Sequence, residues 1–458
     1  MRCCKRWFVG VTTHHTRIWG MSANCFPELG PERMFVEARL DVLLAAHQRR
    51  LLEDHLRRRL EKQSPKAGLS IVYDITHACN LRCLGCCVSA QYFRPGRDHP
   101  AALLKPSTAQ VLKVLQKIRD YLDAHPDTPF FLNFGGGEIF MRPDMFELLE
   151  EASHLFGPDS VGFDTNGTLI TAEEVARVAP QVSYIGISLD GLADYHNRWR
   201  GPSSIPLPVN GSRDPADSFQ HTVAFIRRAL EIPEVADRLE VTTVVTRHNL
   251  DQIPDLMRFL KRIGVRKYSI HRTMLVGRFA DPSLVPDGPA YLRLFVAVLE
   301  ANQELGLDVH LHHSLESIYA TLLLGHDTYA ADKLGYPDRR SSLGIGPTGE
   351  VYFDPWCMVP PWTMLSGGSL LDDGVTLGDI IHQNGGGMLE MARAYCSRHV
   401  RCLGCPQPCS GGSRIAAAAD YLARNGGLSP NRVTENHLLA GLAQVDPACP
   451  LYWSGAVT

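Results

Sequence analysis

Several absences narrow this 458-residue chain before any motif is read. It contains no run of 18 apolar residues, so no membrane-spanning helix is expected. Its net charge is only −3 and no basic stripe is interleaved with aromatics, which leaves no reason to expect a nucleic-acid partner. Residues 1–27 carry Arg2, Lys5, Arg6 and Arg17 without an acid, yet lack the continuous apolar stretch and cleavage site of a signal peptide. Residues 1–30 are read as a disordered start, with Met21 an alternative first residue. No internal repeat is evident. With 45% hydrophobic residues, a chain of this length can bury a large core in two or more units.

The 13 cysteines are clustered, a pattern that points to metal binding in a reducing compartment rather than to disulfides, and hence to the cytoplasm. Cys79, Cys83 and Cys86 lie in the run Cys79-Asn80-Leu81-Arg82-Cys83-Leu84-Gly85-Cys86. Chance gives this spacing about 0.01 times in a chain of this composition. Iron–sulfur clusters are normally held by four cysteines, so a compact loop with three offers one iron to an outside ligand. A structural zinc site usually wants four ligands in two paired motifs and fits this spacing poorly. Cys87, next in the chain, reads as a small buried residue.

This loop resembles the signature of radical S-adenosylmethionine (radical SAM) enzymes. The resemblance implies a [4Fe-4S] cluster whose open iron binds S-adenosylmethionine, an external one-electron reductant of flavodoxin or ferredoxin type, and a 5′-deoxyadenosyl radical that abstracts hydrogen from substrate. One departure stands out. The residue before the third cysteine is usually aromatic in that family and packs by the adenine, but here it is Gly85. Adenine contact is expected from elsewhere in the chain.

Strand-like and helix-like segments alternate along the chain. Residues 69–75, 130–134, 160–164, 184–189, 239–245 and 267–274 read as strands, with helical patterns between them. The expected fold class is α/β, a partial (β/α)6 TIM-like barrel with a C-terminal cysteine-rich extension of SPASM or twitch type. In such folds active groups sit in the loops after the strands. The expected organisation is a helical segment over 31–66, the core barrel over 67–290, bridging helices over 291–340 and a SPASM-like auxiliary iron–sulfur domain over 341–458. Residues 201–216, rich in Pro, Gly and Ser, read as a loop insertion.

The motifs fall at the strand ends. Glycine permits close approach of backbone carbonyls to an ammonium group, and Glu138 adds a countercharge. The resemblance assigns Gly136, Gly137 and Glu138 to the amino group of the cofactor's methionyl part. Ser188 and Asp190 end the fourth strand, where paired oxygens suit ribose hydroxyls. His196-Asn197-Arg198-Trp199-Arg200-Gly201 resembles a family stretch whose arginine reaches the cofactor carboxylate; Arg200 is the expected residue and Arg198 the fallback. Thr165 and Asn166 are read as a strand-ending turn first and as site-lining second.

Cys402, Cys405 and Cys409, with the later Cys449, resemble the SPASM extension that carries auxiliary clusters in many peptide-modifying members. Ser342 and Ser413 stand about where further cysteines are expected. One auxiliary [4Fe-4S] cluster is therefore expected, on Cys402, Cys405, Cys409 and Cys449, with Cys357 or Cys396 able to replace one of them. A four-cysteine zinc ribbon is the rival reading. His271, Arg272, His310, His312 and His313 could line a cavity, and no side chain is named as base or hydrogen donor. The favoured function is oxidation or cross-linking of a peptide or protein side chain. The alternatives are a radical SAM dehydrogenase or epimerase of a small molecule or sugar, and a non-catalytic, metal-stabilised binding protein.

Overall fold

The computed structural model describes residues 40–62, 68–207, 214–279, 281–324, 340–383, 411–425, 433–442, 444 and 446–449. The readings of residues 1–30 and of Cys396, Cys402, Cys405 and Cys409 lie outside them.

Six parallel strands form the centre: β1 (Gly68–Asp74), β4 (Phe130–Gly135), β5 (Val161–Thr165), β6 (Tyr184–Ser188), β7 (Leu239–Val245) and β8 (Lys267–Arg272). Two short strands, β2 (Ala78–Cys79) and β3 (Gln91–Tyr92), pair with each other between β1 and β4. The crossovers carry helices α2 (Thr108–Ala124), α3 (Met145–Phe156), α4 (Ala172–Val178), α5 (Ala193–Arg200), α6 (Ser218–Leu230), α7 (Pro233–Ala236) and α8 (Ile253–Arg262). Local chemistry sets several helix starts. Ser107 with Gln110, and Thr171 with Glu174, form reciprocal capping boxes at α2 and α4.

The alternation along the strands decides which face meets the helices. Ile71, Tyr73, Leu132, Phe134, Val161, Phe163, Ile185, Ile187, Val241, Tyr268 and Ile270 point outward and are fully buried in one core under the helices. The opposite face keeps partial exposure at Ser70, Val72, Asn133, Asp164, Tyr184, Ser188, Thr242, Val244 and His271. Its lining is polar and reachable, so the inner face of the curved sheet bounds a lumen rather than a second core. This is the partial (β/α)6 barrel expected from the sequence.

The sheet continues beyond these six strands. Helix α9 (Gly288–Leu305) leads to β9 (Asp308–Leu311), which pairs parallel with β8, and α10 (His313–Leu324) follows it. At the other edge β10 (Arg340–Ile345) runs parallel to β1 and turns antiparallel into β11 (Val351–Tyr352), giving the order β11-β10-β1-β4-β5-β6-β7-β8-β9. Helix α1 (Ala46–Lys62) packs on α9 and α10, where Glu316 of α10 faces Arg59 at 3.2 Å. Near the C-terminus α11 (Gly411–Arg424) and α12 (Glu435–Leu442) pack closely enough that a Cβ on Gly441 would lie 2.9 Å from the Cα of Ala418.

Candidate active site

The cysteine loop leaves β1 and is stitched to the end of β4 by backbone. Ile75 N–H donates to the Gly135 carbonyl (3.1 Å), Gly137 N–H to the Thr76 carbonyl (2.7 Å) and Glu138 N–H to the Ala78 carbonyl (2.9 Å). A Cβ on Gly136 would overlap the Thr76 carbonyl oxygen, and one on Gly137 would overlap that of Ala78. Gly136 also has φ +122°, so two of the three glycines serve this contact. Asn80, fully buried, ties the loop to its surroundings: its Nδ2 donates to Thr168 Oγ1 (3.0 Å) and Ser203 Oγ (2.9 Å), and its Oδ1 accepts from Asn166 Nδ2 (2.9 Å).

Cys79, Cys83 and Cys86 gather on one side of this loop, Cys79 buried and the other two partly so. Burial, then the charges of Cys83 and Glu138, raises the Cys79 thiol well above its usual value. Burial pushes Cys83 up to about 11, opposed chiefly by the Arg200 guanidinium and also by Arg278. Backbone N–H groups of Leu81 and Ala90 donate to the sulfurs of Cys79 (3.4 Å) and Cys86 (3.2 Å).

Glu138 lies beneath the thiols and is 1% exposed. Its Oε1 accepts from Thr165 Oγ1 (2.7 Å) and Phe140 N–H (3.2 Å), and its Oε2 from Asn166 N–H (2.7 Å). Burial still raises its pKa despite these donors. Thr165 and Asn166 thus hold Glu138 and Asn80, as the structure-first reading of that turn expected. Asp190 is fully buried and both its carboxylate oxygens are taken, Oδ2 by Arg200 Nε (2.7 Å) and Oδ1 by Val244 N–H (2.9 Å). Arg200 offers only its Nε to that pair, so both Nη groups keep donors free among the described residues. The Ser188 hydroxyl has no protein partner among them either and faces the lumen. Arg198 turns outward, its Nε donating to the Asp194 carbonyl (3.0 Å) on an exposed helix face, so the fallback assignment has no place at the site.

Sequence reasoning missed the segment after β8. Gly277, at φ +66°, lies so close that a Cβ would overlap the Cys87 carbonyl, and Arg278 N–H donates to the Cys86 carbonyl (2.9 Å). Arg278 Nη2 also bonds the Ala90 carbonyl (2.6 Å). Trp199 and Phe279 cover Gly85 from two directions. A glycine followed by an arginine just past a barrel strand was the one available signal.

The histidines divide. His271 of β8 faces the lumen, with its pKa lowered by burial, and His310 of β9 sits 3.4 Å from Glu240. The strand ends at Leu311, so His312 lies beyond it; it bonds Ser314 Oγ (2.9 Å) with its ring edge-on to His271. Arg272 points to the opposite, helix-covered face. It forms two 2.7 Å bonds with Asp446, whose backbone carbonyl accepts from Cys449 N–H (3.0 Å). Cys357 is fully buried among Met358, Trp362 and Ala418.

Among the described residues no three His, Cys, Asp or Glu side chains converge on a point that would hold a single metal ion. Three grouped thiols, one buried and two partly so, with Arg200 and Arg278 acting on Cys83, do fit a multi-iron cluster, whose charge spreads over several atoms. Residues 73–260 match the Radical SAM superfamily. The mycofactocin maturase MftC of Mycobacterium ulcerans is 31% identical over 220 residues, covering 47% of this chain and 50% of the relative, so the chain spans about half its length. MftC of Mycolicibacterium smegmatis is 26% identical over 326 residues, 67% of this chain and 69% of that one. The structure of Streptococcus suis SuiB bound to its precursor peptide SuiA superposes with a TM-score of 0.54 at 15% identity, over 74% of this chain and 70% of SuiB, a likeness of fold. The family implies a [4Fe-4S] cluster and S-adenosylmethionine. Strand order, cysteine loop and sequence match agree: the chain carries a radical SAM domain over residues 73–260.

Proposed function

We propose that this chain cleaves S-adenosylmethionine reductively and uses the resulting radical to oxidise or cross-link a peptide or protein side chain. The observation that carries this reading is the gathering of Cys79, Cys83 and Cys86 in the loop after β1, with the Arg200 guanidinium close enough to act on Cys83. When bound, the cluster and cofactor supply a 5′-deoxyadenosyl radical able to abstract hydrogen. The three thiolates would hold three irons. Carbonyls of the Gly136-Gly137 segment with Glu138 would receive the cofactor ammonium. The free Nη groups of Arg200 would take its carboxylate as a fork, with Asp190 fixing the guanidinium from behind. Asp190 then acts through Arg200, while the unpartnered Ser188 hydroxyl suits a ribose oxygen.

A peptide substrate is supported by the name of the MftC relatives, maturases, and by the precursor peptide in the SuiB structure. Residues 341–458 would form the SPASM-like part, with an auxiliary [4Fe-4S] cluster on Cys402, Cys405, Cys409 and Cys449. Residues 31–66, 67–290 and 291–340 would be the N-terminal helical segment, the barrel and the bridge. A flavodoxin- or ferredoxin-type protein would deliver the electron in the cytoplasm.

Anaerobic reconstitution with iron and sulfide, iron counting and assay of 5′-deoxyadenosine under a strong reductant test this together. About eight irons and deoxyadenosine are expected for two four-iron clusters. Serine at Cys79, Cys83 or Cys86 should abolish cleavage and leave the tail iron in place; cleavage persisting in all three variants would sink the assignment.

A further inference from the structure

Where β1, β4 and β5 lie side by side, the inner face of the barrel holds hydrogen-bond acceptors without matching donors. Asp74 ends β1, Asn133 lies on β4 and Asp164 on β5, three neighbouring strands, all on the lumen side. Asp74 is 2% exposed and receives no hydrogen bond and no cation from any described residue. Its carboxylate leans across β4, since a Cβ on Gly135 would lie 3.1 Å from Asp74 Oδ1. Asn133 spends its amide on Asp164 Oδ2 (2.6 Å), and its own Oδ1 is buried without a partner. Asp164 accepts also from Tyr184 OH (3.3 Å), and the carboxylate lies over Gly186, where a Cβ would overlap Oδ1. Gly186 is therefore the residue that gives Asp164 its room.

Among the described residues, no cation nearby pairs with Asp74 or Asn133 Oδ1. Arg200 pairs with Asp190, and Arg272 turns to Asp446 on the other face. His310 faces Glu240, and His271, beside Asp164 and Glu240, has its pKa lowered by burial. Burial and the Asp164 charge raise Asp74, and burial raises Asp164. A buried carboxylate left unpaired costs stability, and the unpartnered oxygens of Asp74 and Asn133 are satisfied by a ligand that donates.

We propose that the lumen between Asp74, Asn133 and Asp164 seats a cationic side chain of the substrate, a lysine ammonium or an arginine guanidinium. This rests on the radical-enzyme reading for the word substrate, but the site itself rests on the acceptors alone. The ammonium would give hydrogen bonds to Asp74 and Asn133 Oδ1 and offset one of the two carboxylate charges. The site lies just inside the mouth that the cysteine loop covers, because Asp74 is the last residue of β1 and Cys87 feels its charge.

The test uses the reconstituted full chain with saturating S-adenosylmethionine and blocked pentapeptides carrying central lysine or arginine, against norleucine and citrulline analogues. Calorimetry should show the lysine or arginine peptide binding at least about tenfold tighter than its neutral analogue, the size of one charged hydrogen bond. That preference should vanish in Asp74→Asn and in Asp164→Asn; melting curves establish that each variant is folded, and either alone suffices for the comparison. Equal affinities, a preference that survives both substitutions, or displacement of the peptide by S-adenosylmethionine would each overturn the proposal. Deoxyadenosine formation by the parent, measured without peptide, reads the radical chemistry separately. A charge preference without deoxyadenosine keeps the site and removes the radical reading, and the converse removes only the site.

Discussion

Trp199 occupies the place where a side chain on Gly85 would stand. A Cβ on Gly85 would lie 2.6 Å from Phe279 Cδ2 and 2.7 Å from Trp199 Cη2. The Leu84 N–H donates to the Trp199 carbonyl (2.8 Å), so the two chain segments are locked at this point. Trp199 in turn stacks on Tyr195 with centroids 5.8 Å apart and meets Phe279 edge-on at 5.6 Å. Where radical SAM loops usually bring an aromatic ring of their own, this chain brings rings from α5 and from the segment after β8.

A pairwise substitution follows from that packing. Gly85→Tyr should prevent the loop from closing and cut iron bound on reconstitution to the tail complement. Trp199→Ala alone should cost about 3–5 kcal/mol as a large buried ring is lost. Combined, the two should recover part of the iron lost in Gly85→Tyr, because the new ring finds the vacated space. No recovery would show that position 85 needs glycine for its backbone instead.

Arg198 and Arg200 sit two residues apart and should behave in opposite ways. Arg200→Ala leaves the fully buried Asp190 without its cation, a loss of about 3–5 kcal/mol by urea unfolding. Arg198→Ala removes an exposed side chain bonded only to its own helix and should change stability by less than about 0.5 kcal/mol. Affinity for S-adenosylmethionine should fall in the first and hold in the second. Equal effects would remove Arg200 from the site.

Asp74 makes stability depend on pH in a definite direction. Its folded pKa is raised from 3.8 to about 7 by burial and then by Asp164. The group's stabilising contribution is therefore fully present below pH 3.8 and is lost as pH rises through about 7, where a charge must stay buried. Over that span the loss amounts to at most about 4 kcal/mol. Asp74→Asn should abolish this slope and melt higher than the parent at pH 8. Identical pH profiles for the two proteins would mean that the carboxylate finds a partner after all.

How far the sequence could be read depended on whether a feature was local. The strands at 130–135, 161–165 and 239–245 came within a residue of their expected ends, because apolar alternation and the glycines that follow are written in consecutive residues. The Gly136-Gly137-Glu138 element was legible as a close-approach motif, though the carbonyls it approaches are those of Thr76 and Ala78. The Arg200–Asp190 pair was not, since each residue alone suits a cofactor and only the fold shows that they hold each other. Asp74 passed as an ordinary strand end, its lack of partners being a property of three strands together. β10 lies where the sequence led to a cysteine-rich extension and not to a barrel strand, yet Leu343 and Ile345 carry the same alternation as β1 and pair with Ile71 and Tyr73.

The Arg272–Asp446 pair fastens the tail to the barrel, and its removal should report on both. Arg272 and Asp446 have 0% and 1% side-chain exposure and meet through two parallel bonds. Asp446 also orders the turn to Cys449: its Oδ1 accepts from Ala448 N–H (2.8 Å), and its carbonyl accepts from Cys449 N–H (3.0 Å). Asp446→Asn should therefore cost about 3–5 kcal/mol, because the arginine charge stays buried beside a neutral group. The exposed pair Arg266–Asp237, broken by Asp237→Asn, should cost under about 1 kcal/mol and serves as the control. If Cys449 is a ligand, Asp446→Asn should lower bound iron from about eight to about four per chain while the core cluster still yields deoxyadenosine. Full iron retention alongside the stability loss would separate the two roles, leaving Asp446 a tether and removing Cys449 from the cluster.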